Sequence, residues 1–297
     1  MNDCNVLGMS VSIVGGVEFN HFRANRTLRL RNKFFTINEP SIMGIVNITP
    51  DSFYEASRIN ELDTLDSYLS KCTEHGIQFI DLGAQSTRPG YSVISGEVQI
   101  ERLQPYLERI RTHYPSLYVS IDTSLPSVAD WALTNGADMI NDVEGGRNHP
   151  EIFKVCAKHR APYVLVHSRG TSETLHENTE YKDISLEVMQ ELSSQIMQLK
   201  MAGVNDVIVD LGFGFSKTTE ENYQLLKNFQ IFQMLEFPLL CGISRKSMIY
   251  KKLGLEPQNA LNGTTVLNTF AILNNAAFLR VHDIEEAKQI IKLLKIV

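Results

Sequence analysis

The sequence has few cysteines, no long apolar run and no basic tract, and each absence excludes a class of protein. Only four of the 297 residues are cysteine, and none forms a CxxC pair, so neither a disulfide framework nor a thiolate zinc site is expected. No apolar stretch reaches the length of a membrane span, and residues 1–20 lack a basic start followed by an apolar core. No basic run is longer than Lys251-Lys252, and the net charge is -6. We therefore expect a cytoplasmic protein with no nucleic-acid or membrane partner.

Eight short apolar runs recur from Ser41 onward, with amphipathic helical patterns between them. The runs are rich in Val, Ile and Leu and show little polar alternation, which is typical of strands buried on both faces. The predicted strands are residues 42–48, 77–82, 118–122, 138–143, 163–167, 207–211, 238–243 and 277–281. The alternation predicts an α/β fold, a (β/α)8 TIM barrel. An open doubly wound sheet is the alternative, which the lack of a GxGxxG motif after the first strand disfavours.

The first forty residues have a different pattern from the barrel. Residues 11–17 and 27–36 predict short strands around the Gly15-Gly16 turn, and so an N-terminal β-hairpin extension over residues 1–38. We expect this hairpin to cover the bottom of the barrel, which begins at about residue 41. No linker, repeat or low-complexity tract divides the chain, so we predict a single domain over residues 1–297.

Polar side chains stand at the end of each predicted strand. In chain order they include Asn47, Asp81, Asp122, Asn141, His167, Asp210, Lys246, Arg280 and His282. In a barrel these ends converge on one face, where active sites of this architecture lie. A single such residue would be an ordinary strand-end group, and Asp142 or Asp283 could simply cap the helix that follows. Eight consecutive strands that end in this way favour a functional cluster.

The chemistry of the cluster suits a flat polar ring that carries a phosphate group. Asp122 and Asp210 accept hydrogen bonds, Asn141 both donates and accepts, and Lys246 and Arg280 donate. The loops after strands seven and eight commonly bind phosphate in barrels. Neither HxH nor HExxH occurs, so a tightly held zinc ion is not expected.

Magnesium is compatible with this site. The ion needs few protein ligands when it also binds substrate phosphates. Asn47, at the end of the first barrel strand, offers one oxygen, although a purely structural role fits this residue equally well.

Seven motifs in order give the chain a family resemblance. They are residues 43–53 (MGIVNITPDSF), 86–90 (STRPG), 120–123 (SIDT), 140–142 (IND), 212–215 (GFGF), 244–247 (SRKS) and 280–283 (RVHD). With them the chain resembles the dihydropteroate synthases over about residues 35–287. The resemblance implies a transferase of folate biosynthesis that is a sulfonamide target. Such an enzyme condenses 6-hydroxymethyl-7,8-dihydropterin diphosphate with 4-aminobenzoate and releases diphosphate and 7,8-dihydropteroate.

The resemblance also implies roles for individual residues, none of them a covalent nucleophile. Arg280 and His282 would bind the diphosphate, and Asn47 would contact a Mg²⁺ ion. Thr87 and Arg88 would lie on a loop that closes over the site. The pterin would be held by four residues from separate strand ends, namely Asp122, Asn141, Asp210 and Lys246. The aminobenzoate pocket would be lined by Pro89, Phe215, Lys246 and Ser247.

The family further implies a homodimer that forms through barrel helices. Residues 262–273 carry an apolar stripe that suits such a contact. The same stripe could equally face the barrel.

Several residues depart from the family pattern. Glu55 and Gln85 stand in loops where other residues are common, Leu211 replaces a frequent Pro, and Ser216 replaces a Gly. Leu211 and the altered first loop keep one rival open, a paralogue that binds pterin without turnover. A second rival is a pterin-dependent methyltransferase, which would share this barrel and the pterin residues. The motifs at 244–247 and 280–282 favour the synthase over the methyltransferase.

Overall fold

The computed structural model describes residues 27–48, 62–85, 94–171, 174 and 180–296, and the description below refers to them. Eight parallel strands form a closed barrel in which neighbours along the chain are neighbours in space and the last strand pairs with the first. The barrel strands are β3 (Ser41–Asn47), β4 (Phe79–Gly83), β5 (Tyr118–Asp122), β6 (Met139–Asp142), β7 (Tyr163–Val166), β8 (Val207–Asp210), β9 (Leu239–Cys241) and β10 (Phe278–Val281). Each of the eight predicted strands is present, so the TIM-barrel prediction is confirmed.

Helices follow the strands and cover the outside of the barrel. They are α1 (Leu62–Glu74), α2 (Gly96–His113), α3 (Pro126–Thr134), α4 (Glu151–His159), α5 (Ile184–Ala202), α6 (Thr219–Lys227), α7 (Ser247–Leu253), α8 (Leu261–Leu273) and α9 (Ile284–Leu294). Two 3-10 helices, Phe229–Leu235 and Pro257–Asn259, lie between them. The cysteines in the described segments, Cys72, Cys156 and Cys241, are buried free thiols, as their scattered positions predicted. Among the helices of these segments, none is long and apolar enough to cross a membrane.

The inside of the barrel is layered, and the layers follow from the two-residue period of a strand. At the amino-terminal ends of the strands, which we call the bottom, inward side chains are apolar and form one buried cluster that includes Met43, Phe79 and Phe278. Two residues further along, each strand presents its next inward side chain nearer the carboxyl end. Residues of the alternate set, such as Ile80 and Leu279, belong to the separate cluster that packs under the helices.

The N-terminal hairpin is present, but its strands differ from the predicted ones. Thr27–Leu30 (β1) pairs with Lys33–Thr36 (β2), so the segment predicted as one strand is the whole hairpin. The chain turns at Arg31, which has a φ of 52°. The predicted strand at residues 11–17 lies outside the described residues. Leu28 and Leu30 are at most 1% exposed and pack with the bottom cluster, so the hairpin closes the bottom of the barrel.

Candidate active site

Inward side chains at the carboxyl ends of the strands form a polar group, which we call the mouth cluster. Several strands change from apolar to polar within one inward step: Phe79 is followed by Asp81, and Met139 by Asn141. The barrel therefore converts a simple alternation in sequence into a convergence of polar groups in space. The members of the mouth cluster are Asp81, Asp122, Asn141, Asp210, Lys246 and Arg280.

Arg280 joins two carboxylates of this cluster across the barrel. Its Nε donates to Asp81 Oδ2 at 2.6 Å, and its Nη2 donates to Asp122 Oδ2 at 2.9 Å. Although burial opposes the charged form, the two carboxylates raise the pKa of Arg280. The arginine is thus charged and held in one orientation by hydrogen bonds within the chain.

Two buried oxygens of the cluster have no donor among the described residues. Asn141 Nδ2 donates to Asp81 Oδ2 at 2.9 Å, which orients both side chains. Asn141 Oδ1 and Asp81 Oδ1 are buried without a hydrogen-bond partner in the described part of the chain. Buried acceptors of this kind cost free energy unless a donor meets them. The pair is therefore suited to a ligand that carries N–H groups.

Burial changes the acid–base properties of the other two carboxylates. It raises the pKa of Asp122 to about 7, against the influence of Arg280 and together with that of Asp81. Burial likewise raises the pKa of Asp210, against the influence of Lys246. A Cβ at Gly242 would stand 3.1 Å from Asp210 Oδ2, so the glycine leaves space beside the carboxylate.

Lys246, the residue before α7, is the member of the mouth cluster that contacts the loop after β8. Its Nζ donates to the carbonyl oxygen of Phe213 and lies 4.3 Å from the centroid of the Phe215 ring. Burial lowers the pKa of Lys246 to about 8, and Asp210 opposes this shift. The ammonium and the ring form one wall of the mouth, with a cation–π contact between them. Ser247 begins α7 and is half-buried next to Lys246 in the chain.

The rim of the mouth carries Asn47 and His282. Gly83 lies between Asn47 and Asp122, since a Cβ there would stand 3.7 Å from Asn47 Oδ1 and 3.8 Å from Asp122 Oδ2. Ser244 Oγ accepts the backbone N–H of His282 at 3.2 Å and lies 3.0 Å from its Nδ1. Donation from the Ser244 hydroxyl to Nδ1 puts the proton of a neutral imidazole on Nε2.

Two acidic residues near strand ends have structural roles. Asp142 holds the loop after β6, where it accepts from Tyr163 Oη at 2.6 Å and from the backbone N–H of Gly146 at 2.9 Å. Asp283 accepts from Arg245 Nε at 2.9 Å and from its Nη2 at 2.7 Å, and its side chain makes no capping bond to α9. Neither carboxylate is part of the mouth cluster.

One predicted part of the site is not described. Thr87 and Arg88, predicted to close over the mouth, lie outside the described residues, as does Pro89. Their roles stay predictions.

The loop after β8 has an unusual backbone. Gly212, Gly214 and Ser216 have φ values of 66°, 81° and 49°. Ser216 is not glycine, and a non-glycine residue in this conformation is strained. Its hydroxyl accepts from Arg169 N at 3.0 Å and donates to Arg169 O at 3.1 Å. These hydrogen bonds offset part of the strain at Ser216.

A buried lysine behind this loop was not predicted. Lys217 Nζ donates to the carbonyl oxygens of Gly212 and Phe215, each at 2.9 Å, and lies 3.0 Å from His167 Nδ1. Burial lowers the pKa of Lys217 to about 7, and Asp210 opposes this shift. Lysine is almost always exposed, so its residue type gave no sign that it turns inward.

Asp81 is a second residue of the site to which no role was assigned from the sequence. Its place at the end of β4 was visible, but acidic residues at strand ends are common. The signal that singles it out is tertiary, because its partners Arg280 and Asn141 lie 199 and 60 residues away along the chain.

Known proteins resemble the chain over nearly its whole length. The model of the family described as "Pterin binding enzyme" matches residues 43–282. The dihydropteroate synthase of Synechocystis is 40% identical over 84% of this chain and 88% of its own. A sulfonamide complex of the Yersinia pestis dihydropteroate synthase superposes with a TM-score of 0.86 at 30% identity, covering 91% of this chain and 98% of that one.

The dihydropteroate synthase of Thermus thermophilus has been solved with two different ligands. Its complex with 4-aminobenzoate has a TM-score of 0.81 to this chain at 31% identity, and its complex with 6HMPPP has a TM-score of 0.79 at 30% identity. Each of the two covers 92% of this chain and 100% of the Thermus chain. These similarities favour the synthase over the methyltransferase.

Proposed function

The chain belongs to the pterin-binding enzymes, within them to the dihydropteroate synthases, and from this premise we propose how its residues divide the work. The reaction joins 6-hydroxymethyl-7,8-dihydropterin diphosphate to 4-aminobenzoate and releases diphosphate and 7,8-dihydropteroate. One observation carries the assignment of the site. Donors and acceptors from several separate strand ends converge inside a single barrel mouth, among them oxygens of Asn141 and Asp81 that have no donor in the described part of the chain.

The pterin binds within the mouth cluster. Its amino group and ring N–H groups donate to Asp122, Asp210 and the Oδ1 of Asn141, while Lys246 donates to the ring oxygen or nitrogen. Two features support this placement. The buried oxygens of the cluster need donors, and Gly242 places no side chain beside the carboxylate of Asp210.

The diphosphate binds beside Arg280 and His282, at the end of β10. Arg280 is charged, and His282 presents its Nε2–H when Ser244 donates to Nδ1. Arg280 also links Asp81 to Asp122, so it couples the phosphate end of the substrate to the pterin end. Both donors would stabilise negative charge on the leaving group.

Magnesium fits this site as an ion for which the substrate supplies most of the ligands. In the described residues there is no group of three or more His, Cys, Asp or Glu side chains that could hold a metal by itself. Asn47 Oδ1 and the neighbouring Asp122 Oδ2 are hard oxygen donors of the type that Mg²⁺ prefers, and we propose Asn47 as its protein ligand. When bound, the ion neutralises charge on the diphosphate.

4-Aminobenzoate binds against the wall made by Phe215 and Lys246, with Ser247 beside it. The ring of the substrate packs on Phe215, and its carboxylate lies near the start of α7, where the Ser247 hydroxyl is a donor. Thr87, Arg88 and Pro89 complete this pocket in the proposal.

The reaction is a substitution at the methylene carbon of the pterin. The C–O bond to diphosphate breaks, and its electron pair leaves with the diphosphate. Positive charge develops on the methylene group and the conjugated ring, where the buried carboxylates of Asp122 and Asp210 stabilise it. The aminobenzoate nitrogen is neutral at pH 7, so it forms the C–N bond without a strong base and then loses one proton. Exclusion of water protects the cation from hydrolysis.

We further propose a cytoplasmic homodimer that forms through α8. Val266, Phe270 and Leu273 are 55%, 38% and 48% exposed along one helix of 13 residues, whereas Leu267 packs against the core. An exposed apolar row of this kind suits a contact between copies. Light scattering that gives the mass of a monomer at micromolar concentration would overturn the dimer.

The direct test is diphosphate release by the purified protein with magnesium and both substrates. We expect release to require both substrates, and Asp210→Asn to lower kcat/KM on the order of 1000-fold because it removes a buried charge that faces the developing cation. The surface substitution Lys154→Met, on the exposed side of α4, is the matched control and should leave the rate unchanged. Pterin binding without release would identify the non-catalytic paralogue, and release that depends on a corrinoid would identify the methyltransferase.

A further inference from the structure

Residues 211–216 form a loop after β8 that carries Phe215 and so forms part of the wall of the aminobenzoate pocket in the proposed function. Its backbone takes left-handed conformations at Gly212, Gly214 and Ser216, and the carbonyl oxygens of Gly212 and Phe215 converge on one point. Within the loop, Phe215 N donates to the Gly212 carbonyl oxygen at 3.1 Å. The rest of its geometry depends on groups outside the loop that bind it, such as Asn222 Oδ1, which accepts from Gly214 N at 2.7 Å.

Lys217 is one of the groups that hold the loop, and it binds two of the loop's carbonyl oxygens at once. Its ammonium is enclosed by the carbonyl oxygens of Gly212 and Phe215 at 2.9 Å and that of His167 at 3.3 Å. Three carbonyl dipoles that point at one spot repel one another unless a cation lies between them. Because Lys217 is buried, no solvent can replace its ammonium at low cost.

His167 lies between Lys217 and Glu191 of α5, which is on the outside of the barrel. Burial, with the nearby Lys217, lowers the pKa of His167 to about 3, so the imidazole is neutral at pH 7. Its Nδ1 accepts from Lys217 at 3.0 Å, which places the ring proton on Nε2, 3.3 Å from Glu191 Oε2. Partial burial opposes ionisation of Glu191, but its contacts with His167 and Arg169 lower its pKa to about 2. The chain of contacts therefore links the loop to α5.

The loop packs closely against the atoms around it. A Cβ at Gly212 would stand 1.8 Å from the His167 carbonyl oxygen, and one at Gly214 would stand 3.2 Å from Lys246 Cδ. The loop is thus held between Lys217 on one side and Lys246 on the other. If the Nζ of Lys217 were removed, the carbonyl oxygens of Gly212 and Phe215 would lose their shared donor and separate, and the Phe215 ring would leave its place beside Lys246.

We propose that Lys217 is a positioning residue for the aminobenzoate pocket, and that its ammonium holds the 211–216 loop in the shape that places the Phe215 ring. Lys217 contacts neither substrate in this assignment. The inference rests on the proposed function for the identity of the ligand, while the loop anchor itself rests on the contacts alone.

The first test compares Lys217→Met with the wild type and with Lys154→Met as the matched control. Methionine keeps the apolar stem and removes the ammonium. Deuterium exchange by mass spectrometry should rise at residues 211–216 in Lys217→Met and stay unchanged in the barrel strands. Unchanged exchange at 211–216 would overturn the proposal, and so would a rise that spreads through the whole barrel, because Lys217 would then be a general structural residue.

The second test measures binding without turnover. The protein is first saturated with 6-hydroxymethyl-7,8-dihydropterin and inorganic diphosphate, which cannot react, and 4-aminobenzoate is then titrated by calorimetry. We expect Lys217→Met to weaken 4-aminobenzoate on the order of tenfold while the affinity for the pterin changes less than about twofold. Equal losses for both ligands would contradict the proposal. Failure of the wild type itself to bind 4-aminobenzoate would overturn the proposed function, and the exchange result would still decide whether Lys217 anchors the loop.

A third variant guards against loss of folding. Lys217→Ala leaves room for propylammonium, whose three carbons and nitrogen replace the missing part of the side chain. Added propylammonium should restore the affinity for 4-aminobenzoate, and 1-propanol, which has the same length and no charge, should not. Equal rescue by both compounds would show that volume rather than charge is required, which contradicts the proposal.

Discussion

At the bottom of the barrel the inward side chains include Phe79 and Met139, whereas two residues further along the same strands they are Asp81 and Asn141. The bottom is apolar and is closed by a hairpin that inserts Leu30. The mouth holds charges, a strained loop and two oxygens that have no donor among the described residues. The free energy gained by burying apolar surface at one end offsets the cost of assembling polar groups at the other.

The two ends also use buried acids differently. At the bottom, Asp138 accepts from Arg31 Nε at 2.5 Å and from Arg111 Nη2 at 2.8 Å, so both of its oxygens are paired. At the mouth, Asp81 Oδ2 accepts from Arg280, but its Oδ1 has no partner in the described segments. A carboxylate whose hydrogen bonds are satisfied within the chain contributes to stability, and one that keeps an acceptor open is ready for a ligand.

The largest effect that separates the two ends is expected from Leu30→Ala. The side chain is fully buried in the bottom cluster, so its truncation leaves a cavity and should lower the free energy of unfolding by about 4 kcal/mol. Urea denaturation measures the change, and diphosphate release per folded molecule should stay the same. Phe34→Ala, on the same hairpin but 77% exposed, is the control and should change neither. A large loss of activity in folded Leu30→Ala would show that the ends are not independent.

A pair of matched substitutions tests the two buried acids against each other. Asp138→Asn should lower stability by about 3 kcal/mol, because it leaves Arg111 without its buried partner, and should preserve the rate. Asp81→Asn should lower kcat/KM on the order of 100-fold through misplacement of Arg280, with a smaller change in stability because Asp122 still pairs with that arginine. Urea denaturation and diphosphate release measure both variants. If the two substitutions had identical effects on rate and stability, the acid at the bottom and the acid at the mouth would not have different roles.

The smallest expected effect is a pH dependence of pterin binding, which involves the mouth alone. Burial raises the pKa of Asp122 to about 7, and pterin N–H groups need its ionised form. The affinity for 6-hydroxymethyl-7,8-dihydropterin, which has no phosphate to titrate, should therefore rise roughly tenfold per pH unit up to about pH 7 and then level off. Calorimetric titrations from about pH 5 to 9 measure this, and Asp122→Asn should abolish the slope. If the affinity still depended on pH in Asp122→Asn, another group would be responsible for the dependence.

As the pH rises, the contribution of Asp122 to the stability of the fold falls, whereas its contribution to pterin binding rises. In the unfolded chain Asp122 ionises at about pH 4, so between about pH 4 and 7 the folded chain holds a proton that the unfolded chain has lost. The contribution of this carboxyl to stability is present below about pH 4 and is lost as the pH rises to about 7. The ionised form of Asp122, which can accept hydrogen bonds from the ligand, is therefore the form that stabilises the fold less.

Much of the site was visible in the sequence because it follows strand ends. Asp122, Asn141 and Arg280 were found in this way, and the structure brings them together around Asp81. Lys217 was missed because the local sequence, a lysine after a glycine-rich loop, does not predict that the side chain is buried. The hairpin strands were misplaced for a related reason: the mixed pattern of residues 27–36 suits one strand as well as two strands with a turn between them.

Local sequence was enough to establish the alternation of strands and helices and the inward order of side chains along each strand. Both are local properties, since strand period and apolar runs depend on neighbouring residues only. Which charges meet is a property of the closed barrel. Arg280 joins Asp81 and Asp122 from 199 and 158 residues away, and Lys217 meets His167 from 50 residues away. Arg280 meets Asp81 and Asp122 only when the barrel closes, because β10 pairs with β3 at that step. His167 and Lys217 meet because they follow β7 and β8, which pair with each other.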